Sequence, residues 1–133
     1  MTELTDEIRA FLNERRFAVL ATRNPDGTIQ QSVMWYLLEG ESIVMNTARG
    51  RVKFRNIERS KAVSICVEDG PRSVTIAGEF KLNDDPATGL ADIQRIGRRY
   101  DSEEEIQQAL ETWKTQQRVT MTLPINRVVT HGF

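Results

Sequence analysis

The chain has 133 residues, a formal net charge of −1, 28% charged side chains and a single Cys. That length suits one domain over residues 1–133, and a lone Cys excludes an internal disulfide framework. No apolar run approaches the roughly 20 residues of a membrane-spanning helix, and the acidic opening Met1–Glu7 carries no secretory or transit pattern, so the expected setting is soluble and cytoplasmic.

Thr5 is placed to cap a helix over Asp6–Arg15, with Ile8, Phe11 and Leu12 on one face and Asp6 and Glu7 suiting its first turn. Phe17–Thr22 reads as a buried strand, followed by the turn Asn24-Pro25-Asp26-Gly27. A long strand is expected over Thr28–Leu38, then a hairpin at Glu39-Gly40-Glu41 into Ser42–Thr47. After a basic helix, Ala62–Val67 alternates with Val63, Ile65 and Val67 on one face. Asp69-Gly70-Pro71 turns the chain into a strand over Arg72–Leu82. Gly78 falls in that strand's apolar register, where it marks a bend or a close approach. From Pro86 the period becomes helical through Leu90, Ile93, Ile96 and Tyr100. Ser102 and Glu105 then form a capping box for a second helix carrying Ile106 and Trp113. Arg118–Ile125 is the last expected strand. About six antiparallel strands with helices at the start, middle and end predict a mostly β, α+β barrel.

The segment with the clearest chemistry joins a strand to the basic helix. Arg49, Arg51, Lys53, Arg55, Arg59 and Lys61 stand there against Glu58 alone, a net +5 that leaves −6 for the remainder. Such confinement of the cations argues against duplex nucleic acid as partner. Cations on an exposed helix are ordinary, but Arg51 and Lys53 occupy the first turn, where the helix dipole opposes them unless an anion compensates. A strand-to-helix turn also presents free backbone N–H groups, so a phosphate is the natural guest. Asn46 and Thr47 end the preceding strand within reach of the same group.

A second candidate is Gln30-Gln31-Ser32-Val33-Met34-Trp35, whose polar groups suit the edge of a flat heterocycle. An amphipathic strand with Trp35 in the core explains the same residues. His131 has no cluster around it and gives no metal site, and Cys66 reads as a small hydrophobe within a strand. Neither a nucleotide-binding fingerprint nor a nucleophile–base pair is present.

The order Leu20-Ala21-Thr22, Asp26-Gly27, Gln30–Tyr36, Asn46-Thr47, Gly50–Lys53 and Arg55-Asn56 resembles the pyridoxamine 5′-phosphate oxidase-like split-barrel superfamily. It is most similar to its small flavin- and deazaflavin-dependent oxidoreductases. The resemblance implies a six-stranded antiparallel split barrel of the FMN-binding type with flanking helices. It also implies a homodimer with cofactor at the subunit interface and a small-molecule substrate. Gln31, Ser32, Val33, Met34, Trp35 and Tyr36 would line the ring and ribityl chain. Asn46 and Thr47 would contact the chain or phosphate, Arg51 and Lys53 would hold the phosphate, and Arg55 and Asn56 belong to the same motif. Thr75, Gly78 and Arg118 would lie near the cofactor or reach it across the dimer. The family often has Asp-Pro after the basic helix where this chain has Ser60-Lys61.

The expected function is a reductase using reduced coenzyme F420, with FMN as the alternative cofactor and a non-catalytic flavin carrier or sensor as the alternative role. Arg49, Arg55 and Arg59 exceed the needs of one phosphate and would suit the polycarboxylate tail of F420. An anion or oligonucleotide binder using only the basic helix is a further alternative. No catalytic side chain is assigned, although Tyr36 or Arg118 could protonate or polarise a substrate.

Overall fold

The computed structural model describes residues 4–133; Met1, Thr2 and Glu3 of the expected domain lie outside the described residues. Helix α1 (Asp6–Asn13) starts where Thr5 Oγ1 accepts the Ile8 N–H at 3.2 Å, and it buries Ile8, Phe11 and Leu12. It ends two residues before the expected Arg15, because Glu14 already has extended backbone. β1 (Ala18–Arg23) and β2 (Ile29–Met34) form a hairpin, β3 (Leu37–Glu39) and β4 (Ser42–Ala48) a second one. Helix α2 (Val52–Arg59) precedes β5 (Ala62–Glu68), β6 (Ser73–Glu79) and β7 (Lys81–Asn83). Helices α3 (Pro86–Gly97) and α4 (Glu103–Trp113) then lead to β8 (Arg118–Pro124) and β9 (Val128–His131).

The described residues therefore contain nine strands rather than six, in two antiparallel sheets ordered β2-β1-β5-β6-β9 and β3-β4-β8-β7. Two expected long strands each cross from one sheet to the other at a buried aromatic residue. Thr28–Leu38 breaks at Trp35-Tyr36, where the Tyr36 N–H leaves the ladder and donates to the Tyr100 hydroxyl at 3.1 Å. Arg72–Leu82 breaks at Phe80, whose N–H donates to the Lys61 carbonyl at 3.1 Å. The extension after Pro124 supplies the third addition by pairing as β9 with β6.

The inner faces of both sheets and α1 enclose one core that includes Leu20, Tyr36, Met45, Ile65, Ile76, Met121 and Leu123. Sheet β3-β4-β8-β7 is covered on its other side by α3, and there Val44, Ile96 and Tyr100 form a second cluster. Contact is closest at Gly89, where an added Cβ would lie 2.0 Å from the Arg118 carbonyl oxygen. Gly89 thus lets α3 lie directly on the β8 backbone.

The outer face of the five-stranded sheet is different. Val33, Val19, Cys66, Thr75 and Val129 stand in register across all five strands. Among the described residues no helix packs extensively on β5, β6 or β9, and Val33 and Val129 are 68% and 63% exposed. No described helix is long and apolar enough to cross a membrane.

Arg99 and Tyr100 join the end of α3 to α1 and the β2–β3 crossing. Arg99 donates to the Tyr36 carbonyl at 2.7 Å and the Leu12 carbonyl at 2.9 Å. The Tyr100 hydroxyl donates to the Arg16 carbonyl at 2.5 Å. Tyr100→Phe strands the buried Tyr36 N–H and is expected to cost about 1–3 kcal/mol. Urea denaturation measures this; an unchanged midpoint would show that the hydroxyl bears no stability.

Candidate functional site

The end of β4, the turn after it and the start of β8 converge on a cavity of about 310 Å³. Its polar wall consists of Asn46, Thr47, Arg51, Lys53 and Arg118, and its apolar wall of Val33, Met34, Trp35, Ile93, Ile96 and Trp113. Eight residues singled out from the sequence thus share one space: Val33, Met34, Trp35, Asn46, Thr47, Arg51, Lys53 and Arg118.

Register explains why β4 and β8 meet here. Ala48 pairs with Arg118 and Asn46 with Thr120, so Asn46 and Arg118 lie two positions apart on neighbouring strands. Arg118 is only 6% exposed. Its Nε donates to Asn46 Oδ1 at 2.9 Å and its Nη1 to Gln116 Oε1 at 2.7 Å. Asn46 in turn donates through Nδ2 to the Gly89 carbonyl at 2.9 Å. Thr120, also behind the cavity, donates to Asp92 of α3 at 2.7 Å. These bonds fix the guanidinium in place without neutralising it.

Burial, followed by repulsion from Arg51, pushes Arg118 down to about 10, which still leaves it charged at neutral pH. Lys53 is half-buried, with Nζ 3.4 Å from the Met34 sulfur. Its pKa is lowered first by burial, then by Arg51 and Arg118. Among the described residues, none of these three cations has a carboxylate within 4.0 Å. Helix α2 adds to the deficit. Thr5, Asp85 and Ser102 cap the other three described helices with their side chains, whereas Arg51 makes no such bond and α2 has no acid in its first turn. The result is a concave positive site beside a helix start with no side-chain cap, suited to an anion such as a phosphate group.

The remaining expected site residues lie elsewhere. Tyr36 is fully buried, and its hydroxyl donates to the Leu12 carbonyl at 2.8 Å. Asn56 is 1% exposed and ties α2 to the first hairpin by donating to Thr22 at 3.1 Å and Asn24 at 3.0 Å. Gln31 and Ser32 stand on β2 outside the cavity lining, Thr75 is on the open sheet face, and Arg55 is exposed on α2. Gly78 has the close approach expected of it, but from the protein: an added Cβ would lie 3.1 Å from Leu123 Cδ1. The surplus cations are also committed. Arg49 pairs with Glu58 at 3.1 Å and Asp84 at 3.3 Å, and Arg59 binds the Arg23 carbonyl and Asn56.

Sequence reading missed Ile93, Ile96 and Trp113, whose helical spacing marked only a stripe destined for burial. Nothing in that spacing says which part of the stripe overhangs a cavity.

A sequence profile described as pyridoxamine 5′-phosphate oxidase matches residues 4–122. The chain belongs to this family. Among solved structures, the pyridoxamine 5′-phosphate oxidase fold of this chain matches an F420 reductase at 26% identity and TM-score 0.73, covering 91% of this chain and 94% of that one. A conserved hypothetical protein from Mycobacterium tuberculosis matches at 27% identity and TM-score 0.75, covering 98% and 84%. A FAD-binding protein from Mesorhizobium loti, 17% identical with TM-score 0.67 over 98% and 94%, shares the fold. No curated protein matches the chain.

Lys53→Met removes a half-buried cation from two like charges. It is expected to raise stability in anion-free buffer by about 0.5–2 kcal/mol while weakening phosphate binding. Thermal melts with and without phosphate test both halves; a variant less stable than wild type in anion-free buffer would contradict the repulsion.

Proposed function

We propose that this protein is an oxidoreductase that holds a flavin-type cofactor by its phosphate, with reduced coenzyme F420 serving a small unsaturated organic acceptor. The observation that carries this reading is the trio Arg51, Lys53 and Arg118, gathered in one cavity without an acidic partner among the described residues. The donor set fits the phosphate of either cofactor, a monoester in FMN and a diester in F420: two guanidinium groups supply forked N–H donors, and Lys53 supplies a point charge. Asn46 and Thr47 line the same polar wall, where they would contact a ribityl chain or the phosphate.

The bound cofactor would supply the hydride chemistry, while the protein orients it and excludes water. Among the described residues the cavity lining holds no carboxylate, His or Tyr, and its charged side chains, Arg51, Lys53 and Arg118, would bind and position the cofactor. The likeness to an F420 reductase favours the deazaflavin. FMN is the second reading, favoured by the internal engagement of Arg49 and Arg59, which leaves a cation set matched to one phosphate.

A second copy of the chain on the open sheet face would complete the site. Val33 belongs both to that face and to the cavity lining, so a partner seated there closes the cavity's flank. Sedimentation of the wild type is expected to give a dimer. Val129→Asp, remote from the cavity lining, should give monomers that bind cofactor more weakly; monomeric wild type retaining full affinity would exclude the shared site.

Parallel titrations with F420 and FMN should give one cofactor per subunit. Arg51→Ala with Lys53→Ala should weaken binding at least tenfold, since a charge-assisted contact is worth roughly 1.5–3 kcal/mol. Full affinity in the double variant would reject the phosphate site. Turnover of a conjugated acceptor by the loaded protein separates an enzyme from a carrier.

A further inference from the structure

The wall that sequence reading missed differs in chemistry from the cation trio. α3 contributes Ile93 and Ile96 and α4 contributes Trp113, so the helical hairpin brings no charge into the cavity. Trp35 faces this wall from the β2–β3 crossing and is held by a column of rings. Its indole lies 5.2 Å from the Tyr100 ring with planes 6° apart, and Tyr100 lies 5.2 Å from Phe17 on its own stacking contact. The Tyr100 hydroxyl is fixed by the Arg16 carbonyl and the Tyr36 N–H, so Trp35 is a rigid surface rather than a mobile one.

Gly97 sets the space between the two indoles. A Cβ added there would lie 2.7 Å from Ile106 Cδ1, 3.3 Å from Trp35 Cζ3 and 3.4 Å from Trp113 Cη2. Both benzo edges therefore close on the point that Gly97 leaves bare. A flavin or deazaflavin ring carries N–H and C=O groups along its pyrimidine edge, and burying these without partners is costly. The α3–α4 wall offers no polar side chain to satisfy them, whereas the opposite wall carries Asn46 and Thr47.

We infer that Trp113, with Gly97 behind it, is a specificity determinant for the acceptor: the Trp35–Trp113 half of the cavity takes an uncharged planar ring while the cationic half keeps the cofactor phosphate. This rests on the cofactor reading above. A flat apolar ring gains offset stacking and dispersion there, and a charged or bulky acceptor gains neither.

Calorimetric titration with 2-methyl-1,4-naphthoquinone, 1,4-benzoquinone, FMN and F420 tests this on the wild-type protein, Trp113→Ala, Gly97→Ala and the Arg51→Ala, Lys53→Ala pair. Trp113→Ala should weaken the naphthoquinone about tenfold and leave both cofactors within about twofold. The Arg51, Lys53 pair should show the reverse pattern. Gly97→Ala should shift preference from naphthoquinone toward 1,4-benzoquinone; if that variant does not fold, Trp113→Ala still decides. Naphthoquinone binding that ignores Trp113→Ala overturns the assignment. So does a parallel loss of naphthoquinone and FMN, which would place the cofactor ring on this wall. Wild-type protein that binds naphthoquinone through Trp113 but neither cofactor would overturn the cofactor reading instead.

Discussion

Arg51, Lys53 and Arg118 repel one another, yet the fold holds all three against one cavity. Folding gains nothing from this arrangement, since burial and mutual repulsion both disfavour the charges. Other parts of the molecule bear the cost. Asn46 and Gln116 accept hydrogen bonds from Arg118, α3 covers it, and the β4–β8 ladder fixes its backbone. A bound dianion would turn the same arrangement from destabilising to stabilising, by an amount that grows with the logarithm of ligand concentration. Stability and occupancy are thus linked through these side chains.

Legibility from sequence followed the range of the physics involved. The α1 cap, the capping box at Ser102 and the alternation of β5 are local, and the structure has each of them. The sheet crossings at Trp35-Tyr36 and Phe80 are not local. Each depends on a partner remote in the chain, Tyr100 in one case and Lys61 in the other, so a continuous apolar pattern concealed two breaks. The site divides in the same way. The cations beside Gly50 announced themselves by being misplaced on a helix dipole, whereas Asn56, in the same motif, serves as a buried tie between α2 and the first hairpin. Charge alone could not distinguish Arg49, neutralised by Glu58 and Asp84, from Arg51, which is not.

The two covers of the molecule have opposite consequences. Sheet β3-β4-β8-β7 is sealed by α3, through the contact that only Gly89 permits, and polar groups there are paired internally. The five-stranded sheet keeps a row of small and apolar side chains facing outward, interrupted by no charge from Val33 to Val129. One face is built to hold a site rigid, and the other suits contact with another surface.

Burial of β8 on both faces has a dynamic consequence. All seven of its residues pair with β4 on one side, three of them (Thr120, Met121 and Thr122) pair with β7 on the other, and its first four residues are all buried. Backbone amides in such a strand exchange with solvent only when the whole domain opens, unlike those at a fraying sheet edge. Arg118 rides on that strand, so its guanidinium is already immobilised before any guest arrives. Little ordering entropy then remains to be lost on binding, and release cannot proceed by local breathing of this wall.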